Sequence, residues 1–442
     1  MLAAIGVGRI DDLIGHVPEK LRASAPIKLE RGRGEAEVVA ELSTLAAQNH
    51  DAHSFASFLG GGSYRHFIPA AVRAITARAE FATSYTPYQP EASQGTTQAI
   101  FEFQTLITQL TGLEVANASM YDGASAAAEA VLMARRVLPK RTVVAISRAL
   151  WPDYRLTIRT YLGPQEEIEI VEVPFDQKTG MTELAAIDHL ANDRLLCTVS
   201  GYPNVFGIVE PIEAIAERTH RAGAIAIAVT AEAMALGLLK APGSLGADIA
   251  VGEGQSFGIA AQFGGPGLGF MAARLAQVRQ MPGRLVGQTQ DAAGRRAFCL
   301  TLAAREQHIR RERATSNICT NHSLNALAAT VYLALMGRRG LREMAARNVE
   351  LAHEAAATLA AAGIRRRFDG PFFNEFAVAV ADAGAAIKDA ARGRVLAGVA
   401  LGRDYPELGD GLLVSVTEMN TEREVELLRD ALSSGHARGE ER

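Results

Sequence analysis

The sequence predicts an α/β protein: a large domain on a mainly parallel sheet with helices on both faces, then a smaller α+β domain. Two observations carry this reading. Short apolar runs alternate with helical stretches of ten or so residues from about residue 142 to 273, the pattern of strands joined by crossover helices. After residue 323 the order changes to long helices followed by two strand-like runs with a helix between them. The length, 442 residues, suffices for two domains. The expected division is an N-terminal helical segment and arm (1–90), a large α/β domain (91–320) and a small α+β domain (321–442).

Taken in order, the first sixty residues hold amphipathic helical patterns broken at Pro18 and Pro26. The clearest runs from Glu35 to Asn49, with Val38, Leu42 and Leu45 at helical spacing. Gly60-Gly61-Gly62 lacks the Lys-Ser/Thr that completes a nucleotide phosphate loop, so it reads as a turn before a helix opened by Pro69. Residues 83–98, TSYTPYQPEASQGTTQ, carry two prolines, two tyrosines and several amides, which rules out a regular helix or a buried strand. Such a loop either lines a site or is an irregular surface loop, and the residues alone do not choose. A helix is expected over 96–112.

The chain then turns at Tyr121-Asp122-Gly123, and an Ala-rich helix starts at about Ala124–Ser125. Open N–H groups at such a start can hold a phosphate, although many helices begin this way without one. Strands are expected at TVVAIS, EEIEIVEVPF, LLCTVS, AIAIAVT, ADIAV and LGFMAA, with helices between the earlier ones. Ligands of such sheets sit beyond the carboxyl ends of the strands. That rule brings Ser200 to Asn204, Glu232 and Gln255 to one crevice. Gln255 lies on GEGQSFG, a bend expected to be exposed because it is polar and Gly-rich. Residues 300–320 are dense in cations, with Arg305, Arg310, Arg311 and Arg313 on no single helical face, and read as a solvated helix leading into an extended stretch.

Composition excludes several classes. A net charge of −4 gives no basic surface for nucleic acid. No run of about twenty apolar residues spells a membrane span, and the N-terminus has no basic region before an apolar core, so no signal peptide is expected. Cys197, Cys299 and Cys319 are far apart and form no paired framework, which points to a reducing cytoplasm. No metal site is expected.

Three stretches carry a family resemblance: residues 83–130, GADIAVGEGQSFGIAAQFGGPGLGFMAA, and REQHIRRERATSNICTN. They resemble the glycine decarboxylase P-protein of the glycine cleavage system, and specifically its N-terminal half, which is a separate alpha subunit (subunit 1) where the enzyme is split. The resemblance implies the aspartate-aminotransferase-like fold type I of pyridoxal phosphate (PLP) transferases. It also implies a departure. PLP-bearing members hold the cofactor as an imine of a lysine on the bend after ADIAV, where this chain has Gln255. The aspartate expected beside the pyridine nitrogen is missing, and Glu232 is the nearest candidate. None of the six lysines, Lys20, Lys28, Lys140, Lys178, Lys240 and Lys388, is placed to substitute.

The implied function is therefore shared. A beta subunit carries PLP, glycine is decarboxylated, and the aminomethyl group passes to the lipoyl arm of H-protein, within a heterotetramer. This chain is expected to bind no cofactor covalently and to be inactive alone. Gly123, Ala124, Ser125, Glu232 and Gln255 would form a vestigial pocket, while Tyr85, Tyr88, Gln89 and Glu91 would reach the partner's site. The arginines of REQHIRRER could order the interface, and which one meets the glycine carboxylate stays open. Two alternatives remain: a structural or regulatory scaffold that adds nothing to the active site, and a stand-alone PLP enzyme using an unexpected lysine.

Overall fold

The computed structural model describes residues 1–24, 29–262, 264–318 and 320–439, with side chains to residue 433. Lys28 and Cys319 lie outside the described residues. The chain divides into two compact units, Met1–Ser54 and Phe55–Arg442.

The first unit holds short helices at Leu2–Ile5 and Glu19–Ser24, a 3-10 turn at Ile10–Ile14 and a helix at Glu35–Ala46, and none of these elements has a buried residue. The last ends slightly before the predicted boundary, and its predicted stripe, Val38, Leu42 and Leu45, is exposed.

The second unit is organised by a seven-stranded sheet. In chain order its strands are β1 (Val115–Ala116), β2 (Val143–Ser147), β3 (Glu169–Val173), β4 (Leu195–Gly201), β5 (Ile225–Thr230), β6 (Ile249–Glu253) and β7 (Gly269–Ala273). Their spatial order is β1-β7-β6-β5-β4-β2-β3. The pairs β3–β2, β2–β4, β4–β5 and β5–β6 are parallel, and only β7 runs antiparallel, to β6 and β1. All residues of β2, β4, β5, β6 and β7 are buried, which is why these runs are continuously apolar in the sequence. Helices α1 (Gln94–Thr111) and α2 (Gly123–Val137) supply further core residues, including Phe103 and Ile107 from α1 and the alanine face of α2.

Beyond the sheet lies an antiparallel hairpin, β8 (Leu285–Gln290) with β9 (Arg296–Thr301), which the sequence reading leaves unassigned. The outer half of β8, Gln288 to Gln290, is exposed and polar, and in β9 only the short stretch Ala297–Leu300 is apolar. The two long helices predicted after Ser323 form one element, α3 (Ser323–Ala361), broken at Gly337, whose φ is 60°. The predicted C-terminal strands are Glu375–Ala379 and Gly411–Ser415, paired antiparallel, with helices at Ala383–Arg392 and Glu422–Gly439. Residues 303–313 form only short helical turns, with Arg310, Arg311 and Arg313 exposed. Among the described residues no helix is long and apolar enough to cross a membrane.

Candidate functional site

The crevice beyond the carboxyl ends of β4, β5 and β6 is where the predicted pocket residues meet, and its occupant is the chain itself. Residues 60–67 pass through it as a strap. Tyr64 is 1% exposed and His66 8%. The Tyr64 N–H donates to Gln255 Oε1 (2.9 Å), and Gln255 Nε2 donates to the Ile259 carbonyl (2.6 Å). Both ends of the amide are thus used, and Gln255 is itself buried. This corrects the expectation of an exposed bend. Gln255, Ser256 and Phe257 all lie inside, because the polar groups of Gln255 find partners there and so escape the cost of desolvation.

Glu232 follows β5 and caps the next turn by accepting from the Met234 N–H (2.8 Å). Its other oxygen lies 3.1 Å from His66 Nε2, and His66 Nδ1 lies 2.8 Å from Glu418 Oε2. Burial works against charge on this imidazole, but the flanking carboxylates Glu232 and Glu418 win and hold it at about 10, so it is an imidazolium at neutral pH. Glu418 also accepts from the Phe67 N–H (2.7 Å), which fastens the strap a second time.

On the far side of the strap, Glu375 accepts from the Gly61 N–H (2.7 Å) and the Tyr64 hydroxyl (3.0 Å). Burial pushes its carboxyl up to about 8, so it is mainly protonated at pH 7. The glycine run is explained here: a Cβ on Gly60 would stand 2.1 Å from Glu375 Oε1. Gly60 and Gly61 wrap a carboxyl group, not a phosphate, and Gly62 lies against the Trp151 ring.

The start of α2 is occupied as well. Asp122 is its N-cap, accepting from the Ser125 N–H (2.7 Å). The free N–H of Gly123 donates to Glu253 Oε2 (3.0 Å), and Glu253 Oε1 accepts from Leu268 N–H (2.6 Å) and Gln255 N–H (3.0 Å). Gly123 fits only because it has no side chain, since a Cβ would lie 2.2 Å from the Tyr154 hydroxyl. The helix thus begins at Gly123, just before the predicted Ala124–Ser125.

These residues do not fit PLP. An amide forms no imine, the carboxylate that would face a pyridinium is paired with His66, and the helix start that would take a phosphate holds Glu253. Sequence reasoning missed His66, Glu253, Glu375 and Glu418. Glu253 was within reach, two residues before Gln255 in the same polar bend.

The predicted partner-facing residues lie apart on the surface. Tyr85 is 77% and Tyr88 50% exposed, and Gln89 and Glu91 are exposed too. Their loop is nonetheless anchored. Arg284, 2% exposed, bonds the Thr86 hydroxyl, stands 4.7 Å from the Tyr88 ring centre and pairs with Glu306 at 3.3 Å. Gln94 donates to the carbonyls of Pro90 (2.7 Å) and Phe298 (2.8 Å). Tyr85 alone of the four lines an open pocket of about 300 Å³, together with Ser84, Thr96, His322 and Asn325. His322 Nδ1 and Asn325 Nδ2 both bond the Gly267 carbonyl, at 2.8 and 2.9 Å.

The protonation pattern predicts a pH dependence. His66 (ordinarily 6.5, here about 10), Glu375 (4.5 to about 8) and Glu210 (4.5 to about 7, raised by burial) all hold their protons more tightly when folded. Each stabilising contribution is complete below the ordinary value and is lost as pH rises through the folded one. The three windows overlap between 6.5 and 7, and two of them continue to about 8. The thermal unfolding midpoint is therefore expected to fall as pH is raised from neutral toward about 10, the upper end of the His66 window. A midpoint that climbs over this range contradicts the assignment.

The sheet order, the single antiparallel strand and the crevice define the class: a fold type I PLP-transferase-like protein. Solved structures agree at the level of the fold, among them a Burkholderia pseudomallei sphingosine-1-phosphate lyase (TM-score 0.67, 16% identity, covering 95% of this chain and 94% of that one) and an Escherichia coli cysteine desulfurase (TM-score 0.63, 15% identity, covering 89% and 98%). The model of the glycine cleavage system P-protein family matches residues 1–432, and the chain belongs to that family. A crystal structure of glycine decarboxylase (P-protein) of the glycine cleavage system, in inhibitor-bound form, is similar at TM-score 0.89 and 44% identity, covering 98% of this chain and 97% of that one. Relatives named probable glycine dehydrogenase (decarboxylating) subunit 1 are 48% identical in both Geobacillus kaustophilus (99% of this chain, 97% of the relative) and Anaeromyxobacter dehalogenans (98% and 97%).

Proposed function

We propose that this chain is subunit 1 of a glycine dehydrogenase (decarboxylating), the P-protein of the glycine cleavage system. It works in the cytoplasm as part of a heteromer whose second subunit carries PLP. The observation that supports this reading best is the end-to-end likeness to subunit 1 relatives in a chain whose own crevice has an amide where an imine-forming amine is needed. The assembled enzyme decarboxylates glycine and passes the aminomethyl group to the lipoyl arm of H-protein, with PLP supplying the electron sink.

This chain contributes shape and hydrogen bonding to the partner's site. Residues 91–320 act as the large domain and 321–442 as the small one. Tyr85, Tyr88, Gln89 and Glu91 face the partner, and Tyr85 brings a hydroxyl to the pocket that it shares with His322 and Asn325. The anchored loop suits this role, because Arg284 and Gln94 hold it in place before any partner arrives.

The test is reconstitution. Mixing the chain with a PLP-bearing second subunit is expected to give a complex active in glycine–bicarbonate exchange, while the chain alone has no activity. Borohydride reduction of the isolated chain with PLP is expected to leave no stoichiometric lysine adduct. A single labelled lysine after digestion, or exchange by the chain alone, overturns the reading.

A further inference from the structure

We propose that the cleft between the second half of α3 and residues 365–372 is a binding site for a small anionic metabolite, a carboxylate or phosphate that also carries a hydroxyl. The inference concerns the C-terminal part of this chain alone and does not rest on the partner-site reading.

The cleft encloses about 680 Å³, within the roughly 300–1,000 Å³ of small-molecule sites. From α3 it takes an apolar wall without bulk, Ala356, Ala357 and Ala360. Its polar groups come from His353, Arg365, Arg366 and Asp369.

These groups are held on a fixed frame. The His353 ring lies 4.0 Å from the Phe372 ring and 6° from parallel, and the Arg366 guanidinium stands 4.7 Å from the same ring centre. Phe372 is thereby covered, at 7% exposure, and offers no face on which a nucleobase could stack. Arg366 Nη1 donates to the Gly370 carbonyl (3.2 Å), which orients the guanidinium and leaves its other N–H groups for a ligand. His353 Nε2 donates to the Phe372 carbonyl (3.1 Å). The rim opposite α3 is pinned through its backbone: the Asp369 N–H donates to the Lys178 carbonyl (2.8 Å), and the Pro371 carbonyl accepts from the Val209 N–H (2.8 Å). A Cβ on Gly370 would stand 2.4 Å from the Thr179 carbonyl oxygen, so the rim sits as close as a backbone can. A cleft built this way needs little ordering when a ligand arrives.

The charges point to the ligand. On α3 the arginines outside the cleft have local partners, Arg339 with Glu343 and Arg347 with Glu350. Inside it, Arg365 and Asp369 are both exposed, and among the described residues neither side chain has an ion-pair partner. Both signs thus line one cleft without cancelling each other. Two guanidiniums against one carboxylate leave the cleft positive. The planar guanidinium matches a carboxylate or a phosphate with paired hydrogen bonds. Asp369, which only accepts when ionised, meets a ligand hydroxyl.

The experiment is isothermal titration of the full chain with citrate and, separately, with glycerol 3-phosphate, against chloride of equal ionic strength. Saturable binding at a single site is expected for at least one of the two. Citrate alone assigns the site to hydroxycarboxylates, and glycerol 3-phosphate alone assigns it to phosphate esters. Arg365→Ala and Arg366→Ala are each expected to weaken binding by roughly tenfold, the cost of one charged hydrogen bond. Arg339→Ala, on the same helix with a side chain 91% exposed, is expected to bind as the wild type does. Arg365 is exposed and packs against no core, so its variant keeps the test valid even if Arg366→Ala fails to fold. The proposal is overturned if neither compound binds at millimolar concentration, if Arg365→Ala binds as tightly as the wild type, or if Arg339→Ala weakens binding equally.

Discussion

Replacing His66 by alanine is expected to destabilise the chain by about 3–5 kcal/mol, the usual cost of removing one partner from a buried ion pair. Its two partners, Glu232 and Glu418, have side chains only 2% and 10% exposed. Without the imidazolium both carboxylates stay buried with no cation between them. Coulombic repulsion and lost solvation then act together, and the alternative is to take up a proton. A second signature follows. Carboxyls whose folded pKa has been raised make the fold more stable in acid, and that gain is lost as pH rises through the raised value. The variant's stability should therefore recover as pH is lowered, more steeply than that of the wild type. Denaturant unfolding at several pH values measures both effects. His66→Gln separates charge from hydrogen bonding, because its amide can still donate to one carboxylate. A His66→Ala variant with near-normal stability at neutral pH would mean that the carboxylates reach water and that the strap is not clamped.

This clamp marks the limit of what the sequence makes legible. The strands β2, β4, β5, β6 and β7 could be read because burial leaves an apolar run that needs no partner to be recognised, whereas the two-residue β1 was not read. The start of α2 was readable because the Tyr121-Asp122-Gly123 turn leads straight into an alanine-rich run. The tyrosine loop stood out through its prolines. What stayed hidden is the chemistry of the crevice. His66 meets Glu418 across 352 residues, and Gly61 meets Glu375 across 314. No local pattern records such a pair. The bend at Gln255 misled for the opposite reason: its local polarity suggests exposure, yet the Gln255 amide and the Glu253 carboxyl are both answered inside. Hairpin β8–β9 escaped because half of β8 faces solvent and breaks its apolar run after three residues.

Tyr85→Phe is expected to lower glycine decarboxylation by the reconstituted complex by roughly a hundredfold, while leaving the chain folded and able to bind its partner. The estimate rests on Tyr85 acting as a preorganised donor near the reacting centre, where losing one such hydroxyl commonly costs about that much in rate. The structure of this chain gives no reason for a folding defect. Tyr85 is 77% exposed, and its phenylalanine form keeps the ring. Tyr88→Phe is expected to cost less. The Tyr88 ring is half-buried against Arg284, a contact that belongs to the ring and survives the substitution. Arg284→Lys gives the complementary case. It keeps a cation but loses the planar group that holds Thr86, Glu306 and Tyr88 together, so the loop loosens and both tyrosines lose their setting. Steady-state decarboxylation by each reconstituted complex, with assembly checked by gel filtration, ranks the three variants. If Tyr85→Phe and Tyr88→Phe both retain full activity in a correctly assembled complex, the loop lies outside the reacting site and this subunit serves the enzyme as a scaffold.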